Sequence, residues 1–206
     1  IILMKYPTTI LNLIECFKHL PGIGEKTAER LALSLLDYDE SLIELFSASI
    51  SDVKTKIKRC TKCNNLSEEN LCEICKDNTR DKSVLCVVEE PKNVILFEKL
   101  GTYNGYYHVL DGLISPIDGV NPEDINIETL IDRVKKENIK EIILALKPSI
   151  EGETTSLYIS KLLEDTPVRI TKIAHGVPLG ADIDYVDSLT LELALENRMD
   201  ITNKNS

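Results

Sequence analysis

Two cysteine pairs, Cys60-Thr61-Lys62-Cys63 and Cys72-Glu73-Ile74-Cys75, constrain this 206-residue chain more than any other feature. Each CxxC spacing lets the backbone fold into a tight knuckle that turns two thiolates toward one centre. Two knuckles supply a tetrahedral set of sulfurs, which suits zinc, a redox-silent ion that takes soft ligands. A four-sulfur site with no open position is structural rather than catalytic. The alternatives are two disulfides or a redox-active CxxC. A thioredoxin-type pair, however, stands alone at a strand end, and clustered cysteines in a reducing compartment read as metal ligands first. The stretch is too polar and short to hold a core of its own, so metal rather than packing is expected to close the loop from Asn64 to Leu71. We read Cys16 and Cys86 as small buried hydrophobes, on a helix face and inside a strand.

Upstream, from about Thr8 to Lys58, the pattern is helical. Ile10, Leu13, Ile14 and Phe17 recur at i, i+3, i+4 and i+7, and Ala28, Leu31, Ala32 and Leu35 resume the period after Pro21-Gly22-Ile23-Gly24. A third segment runs through Leu42, Ile43, Leu45 and Phe46. The glycines Gly22 and Gly24 flank an apolar residue and make a tight hairpin between helices. The second helix then starts with free backbone N–H groups and a bare glycine backbone, a good seat for a phosphate. Lys26 and Arg30, four apart, share one helical face and can neutralise neighbouring phosphates. The pattern resembles a helix-hairpin-helix motif, which grips DNA without reading its sequence. Glu25 and Glu29 interleave with the basic pair, and a plain helix-loop-helix with a solvated charged face is the alternative.

From Ser83 to about Met199, strands alternate with helices. The expected strands are Val84 to Val88, Tyr106 to Leu110, Glu141 to Leu146 and Val168 to Ala174. The expected helices are Asn93 to Leu100, opened by Pro91, then Ile127 to Glu137 and Thr154 to Leu163. Such alternation predicts an α/β fold with a mainly parallel sheet covered by helices. Glu89 directly follows the first strand, and Glu151 and Glu153 follow the third across a short loop. Carboxylates at the C-terminal ends of parallel strands gather at the edge where such folds place their sites. Three of them would offer hard oxygen ligands to Mg²⁺. Taken singly, each is equally a solvated loop carboxylate.

A net charge of −10 argues against a broad electrostatic grip on nucleic acid, so any DNA contact must be a local basic site on an acidic body. No apolar run reaches the roughly 20 residues that a membrane span needs, and the expected address is the cytoplasm. Ile1 to Leu3 read as an extension ahead of a start at Met4, and Thr202 to Ser206 as a loose tail. Apolar runs at Ile10 to Phe17 and at Leu189, Leu191, Leu193 and Leu195 are candidates either for assembly or for intrachain core.

Hairpin, four-cysteine knuckle and strand-end carboxylates in this order resemble the RecR family of recombination mediators from about Thr8 to Arg198. The carrying phrases are Leu20 to Arg30, the four cysteines, Val87-Val88-Glu89, Ser115-Pro116-Ile117-Asp118-Gly119, Glu151-Gly152-Glu153-Thr154-Thr155 and Ala174-His175-Gly176-Val177-Pro178. The resemblance implies a helix-hairpin-helix region over 1–58, a four-cysteine zinc finger over 59–80, a Toprim domain over 81–176 and an assembly segment over 177–206. It implies a nonenzymatic protein that binds double- and single-stranded DNA, forms a tetrameric ring, and acts with RecO and RecF to load the recombinase RecA onto coated single-stranded DNA. By position, Gly22, Gly24, Lys26 and Arg30 would contact DNA, and Cys60, Cys63, Cys72 and Cys75 would hold structural zinc. Glu89, Glu151 and Glu153 would form an acidic Toprim edge for partner contact, with Mg²⁺ as a possible guest. Two departures stand out. Lys147-Pro148-Ser149 replaces the usual Asn-Pro-Thr, and Ala181 replaces a glycine after Pro178. The rival reading is an active Mg²⁺-dependent Toprim nuclease or primase-like phosphotransferase, for which Tyr103, Tyr106 and Tyr107 lie near the right edge. A third reading is a pure protein-interaction adaptor.

Overall fold

A computed structural model describes residues 6–174 and 176–198. Ile1 to Leu3 and Met4, read as an extension and a start, His175, and Thr202 to Ser206, read as a tail, lie outside the described residues. The chain divides into two compact units, Ile1–Ile57 and Lys58–Ser206. Among the described residues, no helix is long and apolar enough to cross a membrane.

The first unit holds α1 (Thr8–Lys18), α2 (Glu25–Ser34) and α3 (Glu40–Lys56). Ile14 of α1 and Ala28 and Ala32 of α2 are buried together, with Ile10, Leu13, Phe17 and Ile23 half-buried around them. The two alanines let the helices approach closely, so the run from Ile10 to Phe17 packs within this chain. Cys16 departs from expectation, because it is exposed. It lies two positions beyond Ile14, about 200° around the helix from the buried face. Along α3 no residue is buried, and Leu42, Leu45, Phe46, Ile50 and Val53 are all exposed.

The second unit opens with a short antiparallel ladder, β1 (Lys58–Arg59) with β2 (Leu66–Ser67), followed by α4 (Glu73–Lys76). Then come β3 (Asp81–Val88), α5 (Pro91–Leu100), β4 (Gly105–Val109), α6 (Ile127–Lys136), β5 (Glu141–Ala145), α7 (Ile150–Leu162), β6 (Arg169–Lys172) and α8 (Ser188–Glu196). The four strands from β3 onward form one parallel sheet in the order β4-β3-β5-β6. β3 is central, pairing Val87 with His108 on one side and with Leu144 on the other. Its continuous apolar run follows from burial on both faces. Leu85 and Val87 pack with Leu130 and Ile131 of α6 and Ile159 of α7, whereas Cys86 and Val88 pack with Val94 and Phe97 of α5. Pro91 opens α5 behind a capping box of Glu90 and Asn93, as its fixed φ favours. α7 begins four residues earlier than the periodicity suggests. Ser149 caps it, accepting from the Gly152 N–H at 3.3 Å.

His108 on β4 is buried, its Nε2 lying 2.9 Å from the Asn126 carbonyl while Nδ1 has no hydrogen-bond partner among the described residues. Burial drives its pKa down to about 4. In the unfolded chain the ring titrates near 6.5. As pH falls from about 6.5 to 4 the unfolded state therefore takes a proton that the folded state refuses, and stability drops through that window by about 3 kcal/mol. Denaturant melts between pH 7.5 and 4.5 check this. His108→Gln, which keeps a donor but cannot titrate, is expected to flatten that part of the acid limb.

Candidate functional site

The thiols of Cys60, Cys63, Cys72 and Cys75 lie within 4.8 Å of one another and all four residues are buried. Asn64, at φ +62°, lets the chain turn sharply after the first pair, and its N–H donates to the Cys60 carbonyl at 2.9 Å. The Cys72 N–H donates to the Cys60 sulfur at 3.3 Å, the pattern of a thiolate knuckle. Cys63 and Cys72 place their sulfurs 3.5 Å apart, and sharing a proton across that contact raises the Cys63 thiol and lowers that of Cys72. Four crowded, buried thiols cannot all ionise unless a cation neutralises them, and zinc supplies that charge with matching softness and geometry. The donor set fits structural zinc.

The knuckle is less independent than its polarity suggests. All four cysteines belong to the same core as Leu85, Tyr106 and Leu144, and Leu71 packs against it, so packing as well as metal closes the loop. The knuckle also covers an edge of the sheet. The Val109 N–H donates to the Cys63 carbonyl at 2.9 Å, and Asn64 Nδ2 donates to the Val109 carbonyl at 3.2 Å. Further along β4, Arg80 Nη1 and Arg133 Nη1 donate to the carbonyls of Gly105 and Tyr107 at 3.1 and 2.7 Å. An edge strand whose polar groups are occupied in this way cannot recruit another strand.

At the hairpin, Gly22 has φ +80°, a conformation that disfavours any side chain. Gly24 is the N-cap of α2 and brings no side chain to accept from the first-turn N–H groups. Lys26 and Arg30 are exposed and enter no ion pair among the described residues. The interleaved acids are drawn elsewhere: Lys18 Nζ pairs with Glu25 at 2.7 Å, and the Tyr6 hydroxyl donates to Glu29.

At the C-terminal edge of the sheet, Glu89 directly follows β3, and Glu151 and Glu153 lie in the first turn of α7. They do not converge. Residues two apart on a helix point about 200° away from each other, and Glu153 turns to Lys172 on β6 at 2.8 Å. A hydrogen bond from Ser149 holds the Glu151 carboxyl below its usual range. Among the described residues, the four cysteines are the one group with metal-ligand spacing, so the expected Mg²⁺ triad is not assembled. Gly152, between the two acids, is required sterically, since a Cβ there would stand 1.9 Å from the Lys147 carbonyl oxygen. Sequence reasoning missed Asp111. It follows β4 much as Glu89 follows β3, donates its N–H to the Glu89 carbonyl at 2.8 Å, and pairs with Arg59 of the knuckle at 2.7 Å. The same strand-end logic would have found it.

The tyrosines are committed to structure. Tyr103 donates to the Tyr106 carbonyl, Tyr106 to the Asp77 carbonyl and Tyr107 to Glu98. Burial raises the hydroxyl pKa of Tyr103 and Tyr107, which disfavours the phenolate that a nucleophile needs.

A helical hairpin, a four-thiol knuckle built into the core, and a four-stranded parallel sheet with acidic strand ends define a zinc-bearing protein of Toprim architecture. Family models match along the chain in that order: the RecR helix-hairpin-helix over residues 10–54, the RecR four-cysteine zinc finger domain over 57–77, the Toprim domain over 83–174, and the RecR C-terminal model over 176–199. The chain is 48% identical over 199 residues to the Recombination protein RecR of Lactobacillus johnsonii, covering 96% of this chain and 100% of that protein. It is likewise 48% identical over 198 residues to the Recombination protein RecR of Staphylococcus haemolyticus, with the same coverage. The chain belongs to the RecR family: it is a DNA-binding protein of recombinational repair with a structural zinc finger.

Proposed function

We propose that this protein is a nonenzymatic cytoplasmic mediator that holds double- and single-stranded DNA through Gly22, Gly24, Lys26 and Arg30, and works with RecO and RecF to load RecA. The observation that carries the reading is the uncapped start of α2 beside two exposed cations whose neighbouring acids are engaged by Lys18 and Tyr6. A phosphate there meets backbone N–H groups, the positive end of the helix dipole and two positive side chains together. Glu89, Glu151 and Glu153 serve as the partner-binding edge, with Asp111 beside Glu89. That role needs no Mg²⁺, and the dispersed carboxylates and hydrogen-bonded tyrosines weigh against the nuclease and phosphotransferase readings.

Assembly follows from the charge. Two cations on a body of −10 bind DNA weakly alone, so several hairpins must act together, as in a closed tetrameric ring. The exposed apolar faces of α3 and α8 are the proposed contacts.

The experiment is a titration of labelled duplex and single-stranded DNA across salt concentrations, with Mg²⁺ present to expose any cleavage. Lys26→Ala with Arg30→Ala is expected to weaken binding uniformly across sequences and to lower the log–log salt slope by about 1 for each cation removed. Glu89→Gln and Glu151→Gln are expected to bind DNA as well as wild type or better, since they remove negative charge. Unchanged binding by the double variant, or cleavage that disappears in the glutamine variants, would overturn the reading.

A further inference from the structure

On the sheet face that carries α6 and α7, the two helices border an open groove of about 390 Å³. Its floor is apolar, formed by Ile127 and Ile131 from α6 and by Tyr158 and Leu162 from α7. Tyr158 and Leu162 are 38% and 43% exposed, so this floor meets water in the isolated chain. The rim is acidic: Glu123, Glu128 and Asp132 line it, against Lys135. Asp132 pairs with Lys136 at 2.7 Å, but both are exposed, and such a pair exchanges partners at little cost. None of the strand-end carboxylates Glu89, Glu151 and Glu153 lines this groove.

Charge and shape together select the occupant. Three carboxylates repel phosphate, so nucleic acid is excluded from this face. The lining residues of α6 run from Ile127 to Lys135, about 13 Å of helix, which matches about two and a half turns of an incoming helix seated against it. A second copy of this chain is poorly suited. Its exposed α8 carries Glu192 and Glu196, of the same sign as the rim, and its α3 mixes Glu40, Glu44 and Asp52 with Lys54 and Lys56. We propose that the groove between α6 and α7 docks a basic amphipathic helix of another protein, with apolar side chains on Tyr158 and Leu162 and Lys or Arg side chains facing Glu123, Glu128 and Asp132.

The test uses the full-length zinc-bound protein and a labelled 18-residue helical peptide with leucine on one face and lysine on the other. The same peptide with glutamate in place of lysine is the comparison. Fluorescence anisotropy is expected to show the lysine peptide bound at least about tenfold tighter by wild type. Glu123→Lys, Glu128→Lys and Asp132→Lys together are expected to reverse that preference. Leu162→Ser, at an exposed position that leaves the circular dichroism spectrum intact, is expected to weaken lysine-peptide binding about tenfold without altering DNA binding. Equal binding by wild type and the charge-reversed variant would overturn the proposal, because attraction would then come from the acidic body at large. A lowered light-scattering mass in Leu162→Ser would also overturn it, assigning the groove to a second copy of this chain.

Discussion

Replacing Cys63 by serine is expected to unfold the unit that begins at Lys58, not merely to loosen a peripheral knuckle. The four thiols form part of the core that contains Leu85 and Leu144, and the Cys63 carbonyl accepts the Val109 N–H on the edge of β4. Removing zinc forfeits about 10–16 kcal/mol of binding free energy. That is comparable to the entire stability of a typical domain, about 5–15 kcal/mol. It leaves three crowded thiols unneutralised and uncovers a strand edge able to recruit other chains. The variant is therefore expected to lose its metal, lose most sheet signal by circular dichroism, and aggregate. Helical signal from the separate unit Ile1–Ile57 is expected to persist. Elemental analysis of wild type should give about one zinc per chain. A folded, metal-free wild type with disulfides among these cysteines would contradict the account.

Dispersing the proposed ring is expected to reduce DNA affinity by about 10²–10⁴ even with every hairpin intact, because avidity from linked sites is then lost. The variants must avoid the core. Leu13 packs half-buried against α2, so a charge there would damage the unit rather than test assembly. Ile50 on α3 and Leu189 on α8 are 61% and 63% exposed, and Ile50→Glu with Leu189→Glu changes the surface alone. Light scattering should report the fall in mass, circular dichroism an unchanged fold, and anisotropy the loss of binding. A wild type that is monomeric at micromolar concentration yet binds DNA tightly would remove the ring from the account.

The sequence made the α/β alternation legible because β3 is buried on both faces and reads as an unbroken apolar run. The hairpin was legible because Gly22 adopts a backbone conformation that only glycine takes readily. The four cysteines announced their centre through spacing alone. What stayed hidden depends on orientation in three dimensions. Cys16 sits near Ile14 in sequence yet points away from the buried face, and periodicity read too generously placed it inside. Glu153 shares a phrase with Glu151 but turns to Lys172, because α7 starts at Ile150 and the helix separates the two acids. The polar knuckle gave no sign that its ligands would lie in the same core as the sheet. The Arg59–Asp111 pair that ties knuckle to acidic edge joins residues too distant in sequence for any local pattern to reveal.

The central claim, that this RecR-family protein is a mediator rather than an enzyme, is tested most directly by the rate at which RecA nucleates on single-stranded DNA already coated by its binding protein. With RecO present, wild type is expected to shorten the lag before RecA-dependent ATP hydrolysis and to leave the DNA uncut. Lys26→Ala with Arg30→Ala is expected to leave the lag long because DNA is not held, and Glu89→Gln with Glu151→Gln because the partner is not. A lag unchanged by wild type, or DNA cleaved in Mg²⁺ by wild type and spared by the glutamine variants, would contradict the account.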